Sequence, residues 1–242
     1  MSEDWRQAIE HLYAVFACYR RPSMMDASPT RDAVAMMRDL TSAPLRELSP
    51  EALGAYAGSA LTTVGSEGDY RHFLPRIIEL SITSHGWMGL DPEVIAGRLI
   101  YGHWRQWADD AQTAILRAFA AAWIETRRMD VDLADGTCPL CALAILGQDI
   151  APLLAVWALP TSATEVRQMV RHIQAAADLK REVYWKQAGA ANRCALWDWA
   201  RSQPVREGLE ACAVHFVADD DLWEIDRVLI DISIATEPEG RV

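Results

Sequence analysis

The sequence predicts an all-α protein, and three observations carry that reading. Apolar residues recur at three- and four-residue steps through nearly every segment. No segment alternates apolar and polar residues between hairpin-turn signals, as strands would. The stretch Cys141–Trp157 reads as the end of one buried helix, a glycine stop, a short turn and the start of another. Gly147 supplies the left-handed residue that closes a helix. Asp149 offers a carboxylate to the free N–H groups of the next first turn, and Pro152 falls where its missing N–H costs nothing. The result is a helical hairpin. Such hairpins build about twelve helices joined by short connections. The architecture expected is stacked antiparallel helical hairpins, as a HEAT-like α-solenoid or an irregular helical array. It forms one all-helical domain over residues 1–242, with 128–136 the place for any subdivision.

Taken in order, the first helix spans Asp4 to Tyr19, capped by Asp4, with Ile9, Leu12, Phe16 and Tyr19 inward. Arg20-Arg21-Pro22 ends it. Pro29 opens a second helix with Val34, Met37 and Leu40 on its apolar face. Ser49-Pro50-Glu51 is a strong start signal for a third, which runs to about Val64 before Gly65-Ser66-Glu67-Gly68 breaks it. Asp69 caps a fourth helix interrupted or delayed by Pro75. Asp91-Pro92-Glu93 opens the fifth. The sixth, alanine-rich, covers about Ala108 to Arg127, with acids at its start and Arg127 and Arg128 at its end, as the macrodipole prefers. Ser162 opens a long helix. Leu179 to Gly189 is ambiguous. Ala190 to Ser202, a segment from Pro204, and a last helix capped by Asp220 or Asp221 complete the chain.

The composition narrows the function classes. The chain has 242 residues, 51% of them apolar, which suffices for a sizeable core that includes ten tryptophans. A net charge of −11 argues against nucleic acid and against anionic membrane surfaces, and suits a basic partner. No run approaches the ~18 apolar residues of a membrane span, and the start Met-Ser-Glu-Asp lacks a basic-then-apolar signal segment. Five cysteines, an odd number, mostly within apolar helical patterns, read as reduced and buried rather than as a disulfide framework. A cytoplasmic location follows as the expectation. Lys180 and Lys186 are the only lysines, so nearly all positive charge is guanidinium. That pattern reflects either compositional bias or forks suited to carboxylate pairing.

A helix–glycine–acidic cap–helix pattern with an early proline occurs twice, around Gly65 to Pro75 and Gly147 to Pro152. The two copies stand close to two periods of the ~40–47-residue HEAT or armadillo unit apart. The segments Pro44–Leu48, Ala60–Thr63 and Asp69–Leu80, with the Cys141–Trp157 hairpin, resemble an uncharacterised bacterial all-helical family with HEAT/armadillo-like helical hairpins. The resemblance covers most of residues 30–235 and implies that fold without a particular activity. Relatives often carry a cysteine-rich turn near the N-terminus. Here the corresponding stretch is Ser23-Met24-Met25-Asp26, which puts a metal or redox role of that turn in doubt.

Several constellations were weighed as carriers of chemistry. Cys138-x-x-Cys141 has the spacing of half a zinc site, but no second close pair exists, and a redox motif expects a βαβ context; the two fit better as helix-start cysteines. The Asp130, Asp132 and Asp135 loop lacks the further ligands of a calcium loop. Asp219-Asp220-Asp221 reads as a cap cluster. Tyr70, His72 and Arg76 fall on one predicted helix, with His72 and Arg76 on a common face where two cationic groups could hold an anion. His103, Trp104, Arg105 and Trp107 cluster at a turn, where they form either an exposed recognition patch, rich in the residue types of hot spots, or a buried seal between helices. No phosphate loop, nucleophile elbow or His-Glu-x-x-His motif is present.

These features lead to a non-catalytic helical-repeat scaffold or regulator with an acidic surface, binding a protein partner, basic in character, and needing no cofactor or metal. The binding residues expected are Tyr70, His72, Arg76, His103, Trp104, Arg105 and Trp107. The competing expectation is a small-molecule enzyme or sensor with an interhelical pocket near His72 and His103. A homo-oligomer that consumes the apolar excess is a third.

Overall fold

The computed structural model describes residues 1–84, 86–157, 159–216 and 222–239, with 213–216 and 222 described by backbone alone. The expected Asp219–Asp221 cap cluster lies outside them. Among these residues the regular structure is helical. Twelve α-helices run in the order α1 (Glu3–Phe16), α2 (Ala33–Leu40), α3 (Pro50–Ser59), α4 (Glu67–Thr83), α5 (Pro92–Tyr101), α6 (Asp109–Thr126), α7 (Thr137–Ile145), α8 (Ala151–Ala155), α9 (Ala163–Ala177), α10 (Ala190–Arg201), α11 (Gln203–Phe216) and α12 (Leu222–Ile234). Short 3-10 turns punctuate them, and isolated bridges at Ala27, Ala60 and Val64 are the nearest approach to a sheet. None of the described helices is long and apolar enough to cross a membrane. The chain forms two compact units, Met1–Ala121 and Ala122–Val242, with the division inside α6.

Local chemistry accounts for the helix starts. Ser49 caps α3 by accepting from Ala52 N–H, with Pro50 in the first turn. Ser162 caps α9 by accepting from Glu165 N–H. Gly147 is left-handed at φ 82°, and Asp149 accepts from Ala151 N–H at 3.0 Å beside Pro152, as the hairpin pattern predicts. Other boundaries differ from expectation. Ser2, not Asp4, caps α1. That helix ends at Phe16, which leaves Cys18 exposed rather than buried. Ser66, not Asp69, caps α4, while Asp69 reaches back to Ser66 N–H to complete a reciprocal capping box. The helix then runs on through Pro75.

The two largest boundary errors share one cause. The second helix starts at Ala33 rather than Pro29, and the third stops at Ser59 rather than Val64. Residues 26–28 lie alongside 63–65: Ser28 N–H donates to Thr63 O, and Gly65 N–H donates to Asp26 O, each at 2.8 Å. That pairing holds 26–28 and 63–65 extended beside each other, outside either helix.

In the first unit α1 packs on α4, α2 on α3, and α4 on α5. Trp5, Leu12, Phe16, Leu53, Tyr56, Phe73 and Leu74 form its core. Arg76 ties three segments together. Its Nε and Nη2 both donate to Leu48 O, at 3.0 and 2.9 Å, and its Nη1 donates to Glu79, which also accepts from the Tyr13 hydroxyl at 2.6 Å.

The second unit is arranged around α9, which packs against α7, α10, α11 and α12. Its inner face carries fully buried polar groups. Gln168 accepts from Gly136 N–H at 3.0 Å and donates to Met129 O and Ala134 O, at 3.0 and 2.6 Å. One amide therefore satisfies three backbone groups of the loop between α6 and α7. Gly136 is there because a Cβ would sit 3.0 Å from both Gln168 Oε1 and His172 Cε1. Asp135 adds a clamp: Arg171 Nε donates to it at 2.7 Å, and Thr137 donates through N–H and Oγ1. One turn on, His172 Nδ1–H donates to Gln168 O at 2.6 Å, and Nε2 accepts from the Trp123 indole at 3.2 Å. The bond from the indole fixes the neutral tautomer.

Burial pushes His172 down to about 4. Below its unfolded value the unfolded chain binds the extra proton, so the stability held by neutral His172 is present above pH ~6.5 and lost as pH falls toward 4, by roughly 3 kcal/mol in all. Burial alone would raise the Asp135 carboxyl, but Arg171 and Thr137 outweigh it and hold it low; its contribution goes only at more acidic pH. Urea titrations at pH 7 and pH 4.5 are expected to show this loss in the wild type. His172→Gln is expected to be less stable at pH 7 yet much flatter across the interval; an unchanged slope would refute the assignment. Gly136→Ala is expected to cost about 1–3 kcal/mol, read from the same titrations, because the neighbours of the new methyl are packed.

Candidate functional site

In the first unit the turn after α3 and the turn after α5 meet across a shallow surface depression of about 450 Å3. Leu61, Glu67, Ile100, Tyr101, Gly102 and His103 surround it. Three features distinguish it.

The first is backbone strain. Among the described residues, Leu61, Met88 and His103 are the non-glycine residues at positive φ, and two of them border this one depression, at 65° and 53°. A side chain in the left-handed region costs on the order of 1–2 kcal/mol. Each turn has a reason for it. Leu61 N–H donates to Val64 O, while Thr62 and Thr63 N–H both return to Ser59 O, so the chain reverses within one turn of leaving α3. His103 follows Gly102, whose N–H closes α5 on Arg98 O, and His103 O then accepts from Gln106 N–H. A Cβ at Gly102 would lie 2.9 Å from Leu61 Cδ1, so any larger residue there would displace the Leu61 side chain.

The second is exposed apolar surface. Tyr101 is 59% and Ile100 44% exposed at the end of α5. The third is a carboxylate held by a fixed cation. Glu67 lies in the first turn of α4, where the helix dipole favours a negative charge, and Arg71, one turn on, donates to it. The Arg71 guanidinium lies over the Trp107 and Tyr19 rings, 4.4 and 5.3 Å from their centroids, and donates to the Tyr19 hydroxyl. Trp107 in turn donates its indole N–H to Gly102 O at 3.2 Å. The chain of contacts thus runs from Glu67 through Arg71 and Trp107 back to the rim at Gly102. Such an arrangement is suited to recognition: an apolar lip, one carboxylate and one exposed imidazole on a backbone that cannot relax.

The structure distributes the sequence-predicted residues unevenly. His103 lines the depression and Trp107 supports it. His72 lies beside the support: its Nδ1–H donates to Tyr19 O at 2.9 Å, and its Nε2 is buried without a partner. Burial holds the His72 imidazole below its usual range, so it is neutral at pH 7. Tyr70 is buried, its hydroxyl unpartnered and pushed far up by burial. Arg76 is engaged with Leu48 and Glu79. Trp104 is buried, with the exposed Arg105 over its ring at 5.6 Å. Leu61, Glu67, Arg71, Ile100 and Tyr101 were not singled out from the sequence. Glu67 and Arg71 carried an i,i+4 signal; Leu61 carried none.

Replacing Leu61 with glycine removes the strain and the apolar rim together. Leu61→Gly is expected to keep thermal stability within about 1 kcal/mol of wild type or to raise it. A clear loss of melting temperature would mean that Leu61 serves the core rather than the surface.

Comparison with family models, with curated proteins and with solved structures finds no match to this chain.

Proposed function

We propose that the chain is a non-catalytic helical-repeat module that binds a segment of another protein at the Leu61–His103 depression, taking a basic side chain at Glu67 and an apolar one against Ile100 and Tyr101. The observation that carries the reading is the convergence at one open spot of two left-handed side-chain-bearing residues, exposed aromatic and aliphatic surface, and a carboxylate oriented by Arg71. Strained backbone concentrates where a surface has been shaped for use. The excess of negative charge over the whole chain steers a basic partner and opposes a polyanionic one. The five cysteines form no disulfide, which supports a reducing, cytoplasmic setting. An enclosed small-molecule pocket shared by His72 and His103 has less support: His103 borders an open depression, and His72 is turned to the Tyr19 carbonyl.

A photo-crosslinking amino acid at position 101, expressed in the native host, tests this directly. The expected adducts carry a lysine or arginine next to an apolar residue, and their yield falls as salt rises. Glu67→Gln is expected to weaken capture by about 1 kcal/mol, and Tyr101→Ala, measured with the identified segment, by about 2 kcal/mol. Adducts with neutral or acidic segments, insensitive to salt, would overturn the assignment, as would no adduct at all.

A further inference from the structure

We propose that Arg127, at the end of α6, anchors an anion site in the second unit that takes a singly charged carboxylate. The guanidinium is held between two indoles, 4.8 Å from the Trp123 centroid and 4.5 Å from that of Trp157. Neither ring is free to move away. Trp123 donates to the buried His172. Trp157 stacks on Trp199 at 5.5 Å and meets Trp123 and His172 edge-on. A planar cation on this aromatic platform is fixed in position and orientation before any ligand arrives.

Its hydrogen-bonding capacity is nevertheless unspent. Arg127 Nε is buried without an acceptor, and so is the indole N–H of Trp157, the ring it rests on. Among the described residues, Glu165 acts on Arg127 electrostatically. Glu165 Oε2 instead accepts from Thr161 N–H and Oγ1, at 2.7 and 2.8 Å. A buried donor left without a partner is costly, and two of them meet here, one on the clamped guanidinium and one on the ring beneath it, where an acceptor from outside would satisfy both.

The chemistry of the acceptor follows from what surrounds it. Both orphan groups are donors, so the ligand supplies lone pairs. Arg127 brings one guanidinium charge to the site, and its neighbour Arg128 is exposed to solvent. A monoanion balances that one charge, and a doubly charged phosphate would overshoot it. A carboxylate presents two coplanar oxygens to the guanidinium edge, and the indoles offer apolar contact to the carbon attached to it. A free organic acid and the C-terminus of a peptide share this chemistry.

The test follows the Nε–H resonance of Arg127 and the indole N–H resonance of Trp157 by NMR in the whole chain, with sodium butyrate replacing chloride at constant ionic strength. Both are expected to shift saturably, with little response to inorganic phosphate. Arg127→Met keeps the aliphatic stem on the rings and is expected to abolish the Trp157 response; Trp157→Phe removes one donor and is expected to weaken binding roughly ten-fold, as loss of one charge-assisted bond does. If Arg127→Met does not fold, Arg127→Lys, which keeps the charge and loses the fork, is expected to weaken binding similarly. A peptide with a free C-terminus binding at least ten-fold tighter than both butyrate and its own C-terminal amide would identify a chain end as the ligand; parity with butyrate would identify a free acid. No saturable shift with butyrate, an undiminished Trp157 response in the variants, or tighter binding of phosphate would overturn the proposal.

Discussion

An all-helical chain with short connections must reverse direction many times, and several of these reversals place a residue in the left-handed region that most side chains resist. Glycine meets that demand at Gly65, Gly86, Gly89 and Gly147. At Leu61 and His103 it is met by residues that carry side chains, and the structure tolerates them because the surrounding bonds leave no other path. Everything distinctive about the first unit's surface follows. The reversal after α3 projects Leu61 outward, Gly102 makes room for it, and His103 completes the rim. The same requirement that lets the helices pack also shapes the one spot where strain, apolar surface and charge coincide.

The second unit meets a different constraint. Its loop between α6 and α7 carries backbone groups into the interior, and Gln168 answers them with a single amide. A network in which every member is satisfied confers a unique arrangement; a partly satisfied one is costly. The Gln168–His172–Trp123 part is of the first kind. The Arg127–Trp157 part beside it is of the second. The contrast within a few residues distinguishes Arg127 from Arg46 and Arg71, which also lie over aromatic rings but each bond a carboxylate.

Much of the fold was legible in the sequence because its signals are local. Ser49-Pro50, Asp91-Pro92, Ser162 and Gly147 each declare a helix end within a few residues, and the structure places helix ends at all four. The start of α2 and the end of α3 were not legible, because the segments 26–28 and 63–65 decide them jointly across some 35 residues of chain. The candidate site divides the same way. His103 and Trp107 stood out by residue type. Ile100 and Tyr101 close the last turn of α5, and the point at which that helix stops leaves them exposed. His172 was passed over because a histidine on an apolar stripe announces neither burial nor a partner. The indole that bonds it comes from another helix.

The scarcity of lysine has a practical side. Lys180 and Lys186 flank one depression of the second unit, together with Leu179 and Arg193. Apart from the terminal amine, every primary amine of the chain therefore lies on that patch. Attachment to a sensor surface or a fluorophore through a lysine side chain would take hold there and nowhere on the helices of the first unit. Molecules tethered in this way would share a common footing, with Tyr101 and its neighbours chemically untouched.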